Sequence, residues 1–138
     1  MANQELVTAV KAIVGNARAG KMDAAYAGYK SLFASPTFAG CDLQEKRQAL
    51  RLMIHAKGVP DPPTPAMIEA HKVAIPILVS LVTEHAEPAD QEMLGMCHVV
   101  TGDEKAAGEV FRAALVTERE RNAQSDLCGT LMKRVSML

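Results

Sequence analysis

The chain has 138 residues, enough for one domain with a sizeable buried core. Fifteen Lys and Arg stand against sixteen Asp and Glu, a formal charge of -1, so no long-range field gathers nucleic acid or an anionic membrane surface. Eight Met, three Phe, two Tyr and no Trp favour close helix packing over sheets, which prefer β-branched and aromatic residues.

The N-terminal stretch NQELVTAVKAIVGNARA, residues 3–19, places Leu6, Val7, Val10, Ile13, Val14 and Ala17 three and four apart, which predicts an amphipathic helix with Asn3 as its cap. Gly20-Lys21 breaks it. Ala25, Tyr26, Tyr29, Leu32 and Phe33 form a second stripe over 22–34, and SPTFAG at 35–40 is read as its end. A third helix starts at Asp42, with Glu45 at the capping-box spacing, and runs to Gly58. VPDPPTP at 59–65 is a stiff connector. Thr64 then caps a fourth helix with Pro65 at its first position, reaching about His85, and Pro76 is expected to kink it near Lys72. A strand over 73–82 is the competing reading, disfavoured by Pro76. After AEP at 86–88 a fifth helix runs from Asp90 to Val100. A sixth follows from Asp103, its expected cap, to about Glu118, and ERERNAQS is a charged hinge or a solvated continuation. Leu127, Cys128, Leu131, Met132, Val135 and Leu138 make a short terminal helix. The expected fold is all-α, with about seven helices and no strand.

No chemical constellation stands out. Cys41, Cys97 and Cys128 are odd in number and far apart, so they are expected to be free thiols in a reducing compartment. Adjacent helical residues Cys97 and His98 point about 100° apart, and His55, His71 and His85 have no metal-ligand spacing. Cys97 is read as a small buried hydrophobe, His98 as a packed helical residue and the helix-borne methionines as core filler. Glycine-rich phosphate loops are absent. The start of the chain lacks the basic run and cleavage site of a signal peptide, and the apolar run at 73–82 has ten residues, short for a bilayer. These readings predict a cytoplasmic, non-enzymatic protein without cofactor or metal.

Three breaks look alike: Gly20, Gly58 and Gly102 each divide a pair of helices, 38 and then 44 residues apart. At the third, Leu94-Gly95, His98, Gly102-Asp103, Ala107, Phe111 and Ala114 follow the spacing of the tetratricopeptide repeat, so the segment resembles that family. The first pair matches through Gly20, Ala25, Tyr29 and Leu32, but Ile13 stands at the small position. The middle pair matches only through Leu50, Ile54 and Gly58. The resemblance implies a single domain of three antiparallel hairpins, approximately 3–35, 42–86 and 89–118, in a right-handed superhelical stack. A capping helix at approximately 124–138 closes it.

It further implies that the first helix of each pair lines a concave binding face. That face would comprise Val10, Val14 and Arg18, then Gln48, Leu52 and His55, then Glu92, Met96 and Val99. The Lys and Asn with which the family's best-known clamp holds a C-terminal carboxylate are missing, since Val10 and Val14 occupy the first-repeat positions. The expected partner is therefore a protein or peptide with an apolar or amphipathic segment, and neither nucleic acid nor membrane. The alternatives are self-association into a homo-oligomer, coverage of this face by the chain's own terminus, and a helical-bundle ligand-binding protein or enzyme using Cys97, His98 or the other histidines.

Overall fold

The computed structural model describes residues 3–138, which form eight helices and, among these residues, no strand. They are α1 (Gln4–Arg18), α2 (Met22–Phe33), α3 (Pro36–Ala39), α4 (Leu43–Ile54), α5 (Pro65–His85), α6 (Pro88–Val100), α7 (Glu104–Asn122) and α8 (Asp126–Ser136). Contacts divide the chain into two compact units, one ending at Ala74 and the other starting at Ile75.

The additional helix is α3, where the sequence reading saw only a stop. Ser35 accepts a hydrogen bond from the Phe38 amide (3.2 Å), and Pro36 takes the first helical position, where its missing N–H costs nothing. Phe38 drives the turn: it is fully buried, edge-on to Phe33 at 5.0 Å between ring centroids. Pro88 likewise opens α6 rather than preceding it. At the other boundaries α4 stops at Ile54, short of Gly58, while α7 carries the charged stretch on to Asn122 as a solvated continuation. α5 runs as one helix through Pro76. Its 21 residues are long and apolar enough to cross a membrane by length and composition, although Met67, Ala70, His71, Ala74, Leu78 and Leu81 are buried within the protein.

The predicted caps are present. Asn3 accepts from the Leu6 amide (3.1 Å), Thr64 from Met67 (3.3 Å) and Asp103 from Ala106 (3.1 Å). Asp42 and Glu45 form a complete reciprocal capping box. The turn glycines share one conformation, with φ of 79° at Gly20, 67° at Gly58 and 85° at Gly102, a region that residues with a Cβ rarely enter. Two of these turns are the same hydrogen-bonded motif: Lys21 N–H donates to the Asn16 carbonyl and Asp103 N–H to that of His98, both at 2.8 Å, across a left-handed glycine.

In the first unit α1 and α2 meet where Ile13 lies over Gly28; a Cβ built on Gly28 would sit 2.7 Å from the Ile13 side chain. Tyr26, Tyr29, Leu32, Phe33, Leu50 and Met53 are buried in the same unit. In the second unit Phe111 lies over Gly95, at 2.3 Å from the position of a Cβ there. Phe111 therefore fills the space within its own helix pair and also belongs to the cluster that α8 closes. Ala107, Ala114, Leu115, Cys128 and Leu131 complete that cluster, with α8 supplying the last two.

Candidate functional site

Six of the nine residues inferred from the repeat register belong to the first unit, and they gather on one open surface of α1 and α4. Three cavities mark it. One, of about 220 Å3, lies between Val7, Val10 and Lys11 on α1 and Glu45, Gln48 and Leu52 on α4. The next, of about 440 Å3, is bounded by Val14, Arg18, Tyr26, Leu52, Ala56 and Lys57. The third, of about 410 Å3, is a shallow depression over Gln48, Arg51, Leu52, His55 and Ala56. Leu52 borders all three. The sequence places it there because α4 turns Ala49, Leu50, Met53 and Ile54 inward, leaving Leu52 on the opposite side and 42% exposed.

The floor is apolar and the margins are basic. Lys11, Arg18, Arg51 and Lys57 border the cavities, and among the described residues none of the four forms an ion pair. Glu45 is the single acidic residue on these walls. Both its oxygens are engaged, Oε2 with the Asn3 amide (2.8 Å) and Oε1 with that of Asp42 (3.1 Å). Register reasoning missed Lys11, Arg51 and Lys57. Lys11 and Arg51 are each one residue from a predicted groove position, and Lys57 follows the end of α4, so charge beside the apolar stripe was the signal available.

Behind the second cavity stands Tyr26, whose buried hydroxyl has no hydrogen-bond partner among the described residues. Burial raises its pKa, helped by the nearby Tyr29. Its ring lies 6.0 Å from that of His71, which is 2% exposed and has Nδ1 2.8 Å from the Met67 carbonyl. Desolvation lowers the His71 pKa, and its backbone hydrogen bond partly opposes that shift.

The remaining three predicted residues lie on α6 in the second unit. Val99 is exposed at 39%. Met96 is partly buried and packs against the cluster that contains Cys128 and Leu131 of α8. Glu92 is only 1% exposed; its Oε2 accepts from Nε of Arg134, on α8, at 3.2 Å. At these positions the chain's own last helix does the covering, so Glu92 offers no open contact surface.

Cys97 is wholly buried, and desolvation, with the negative charge of Glu92 second, pushes its thiol up to about 12. It is a packing residue that stays protonated at neutral pH. Cys41 and Cys128 are also free and buried. No group of three or more His, Cys, Asp or Glu among the described residues is arranged to hold a metal ion. His98 is half-buried near the end of α6, its carbonyl closing the Gly102 turn. No family model, no curated protein and no solved structure matches this chain.

Proposed function

We propose that this chain is a non-enzymatic adaptor of the tetratricopeptide-like kind, which binds a segment of a partner protein over α1 and α4. The observation that carries the reading is the exposed Leu52 at the junction of three cavities, in a continuous apolar strip with Val10 and Val14. Apolar side chains held open by two helices, with polar margins, are what an amphipathic segment needs for docking. The two identical glycine turns and the Gly95–Phe111 contact support a helical-repeat origin for the scaffold. Three free, buried thiols fit a cytoplasmic setting.

Capture from lysate by the wild-type chain and by Leu52→Asp, each shown to be folded by circular dichroism, tests the reading. A protein retained by wild type and lost with Leu52→Asp supports it. Undiminished capture removes the α1/α4 assignment. Self-association is the second reading, favoured by exposed Val116, Met132 and Met137 on or beside α7 and α8. A monomer by light scattering at high concentration excludes it.

A further inference from the structure

We infer that the segment accepted by α1 and α4 is an acidic amphipathic helix, one whose apolar stripe is flanked by carboxylates. The inference rests on the binding reading above and adds the chemistry of the partner.

Charge is the first argument. Lys11 and Arg18 lie on the α1 side of the strip, and Arg51 and Lys57 at the α4 side and end. The only opposing acid, Glu45, is already committed to two backbone amides. A chain with net charge -1 thus carries, among the described residues, four cations without an ion pair around one apolar floor. A segment bearing acids beside its apolar residues complements that surface, whereas a basic one is repelled.

Geometry favours a helix over an extended strand. From Val7 to Arg18 the strip runs about 16 Å at 1.5 Å per residue, the length of roughly three helical turns. A helix can set apolar residues on one stripe and carboxylates along both sides of it. A strand puts alternate residues on opposite faces and would point half of them away.

The second unit supplies an internal precedent. The 44-residue spacing from Gly58 to Gly102 carries Gln48, Leu52 and His55 onto Glu92, Met96 and Val99. At those later positions a helix is already seated: α8 brings Arg134 to Glu92 at 3.2 Å, and Met96 packs against the cluster holding Cys128 and Leu131. There the surface offers an acid and the incoming helix a cation. On α4 the equivalent positions, Gln48, Leu52 and His55, bring no acid, and the charges beside them, Arg51 and Lys57, are cations, so the matching helix is one that brings carboxylates.

The test uses the full chain and three synthetic peptides of about three helical turns, acetylated and amidated. One has a Leu stripe flanked by Glu, the second the same stripe flanked by Lys, and the third the Glu composition scrambled. Fluorescence anisotropy is expected to show binding of the Glu peptide alone, weakened by raising salt from about 0.05 to 0.5 M. Arg18→Glu and Lys57→Glu, both at the surface, should each weaken it about two- to fivefold, and Leu52→Asp should abolish it. Equal binding of the Lys peptide with loss on Leu52→Asp overturns the acidic preference but leaves the groove standing. Binding indifferent to Leu52→Asp overturns the groove itself. Two further outcomes overturn the inference: no binding of the Glu peptide at about 1 mM, or a dimer in light scattering that Leu52→Asp dissolves. A Glu peptide that binds only with a free C-terminus would point to end-on carboxylate capture and would also overturn it.

Discussion

Replacing Gly95 with alanine isolates the contact that most specifies the second unit. A Cβ at this position would stand 2.3 Å from Phe111 Cε1, 2.6 Å from Cδ1 and 2.7 Å from Cζ. Carbon atoms pack comfortably at about 3.5–4.0 Å, so the overlap exceeds about 1 Å and involves one whole edge of the ring. Phe111 has little room to yield, being 1% exposed among Ala107, Ala114, Leu115 and Leu131. Overpacking of this kind costs about 1–3 kcal/mol, and removing a mid-helix glycine returns up to about 1 kcal/mol. The expected net loss is about 1–2 kcal/mol. Urea unfolding followed by far-ultraviolet circular dichroism should show it as a midpoint lowered by about 0.5–1 M, for an m-value of about 2 kcal/mol/M. Gly15→Ala is the control: its site in α1 has open space around it, so only the gain in helix propensity remains and the midpoint should rise. Adding Phe111→Leu to Gly95→Ala should cost less than the two single changes summed, because the shorter side chain vacates the clash. A Gly95→Ala variant as stable as the Gly15→Ala control would refute the reasoning.

Three other outcomes follow from the same structure. Asp42→Ala removes the side chain that accepts from the Glu45 amide at 2.8 Å, so stability should fall by about 1 kcal/mol, measured by urea titration; no change would deny the cap an energetic role. Cys97 should resist a disulfide-exchange reagent such as dithiobis-nitrobenzoate in the native protein at pH 8 and react only on unfolding, because it is wholly buried with its thiol near 12. His71 has a folded pKa below its ordinary 6.5, so in the window just under 6.5 the unfolded chain binds more protons. Its contribution to stability is complete above that pH and is lost as pH falls. Urea midpoints should therefore decline from pH 7 to about 5.5, and His71→Gln should flatten that slope.

Most helices were legible because their signals are local. Asn3, Asp42, Thr64 and Asp103 announce helix starts through side-chain geometry that neighbouring residues alone decide, and all four hold. Gly20 and Gly102 announce ends for an equally local reason, a positive φ. Illegible features depend on what lies across the fold. Pro36 is a stop or a start according to whether the chain folds back so that Phe38 packs on Phe33, and residue types alone do not say which. The acid Glu92 reads as a groove marker until Arg134, 42 residues later, closes over it. On α1 and α4 the register did select residues that share three cavities, because both helices present a clean apolar stripe with Leu52 off the buried side. It missed the basic margin because lysine and arginine beside a stripe are ordinary on any solvated helix, and their common sign becomes visible only when two helices are set together.

The two helix pairs also explain why only one carries a recognisable motif. Both need a large side chain set against a glycine so that the backbones can approach, and both have one: Ile13 over Gly28 in the first, Phe111 over Gly95 in the second. The assignment is reversed. In the second pair the glycine is on the leading helix, as the repeat pattern expects; in the first the leading helix supplies the large residue and the following helix the glycine. The physical requirement is complementarity of volume, which is blind to which helix gives and which receives. A pattern written as residue types at fixed positions sees only one of the two solutions. The first pair's missing glycine at Ile13 is therefore no defect in its packing. It is the same contact built the other way round, and it leaves Val10 and Val14, on the solvent side of Ile13, free to form the floor beside Leu52.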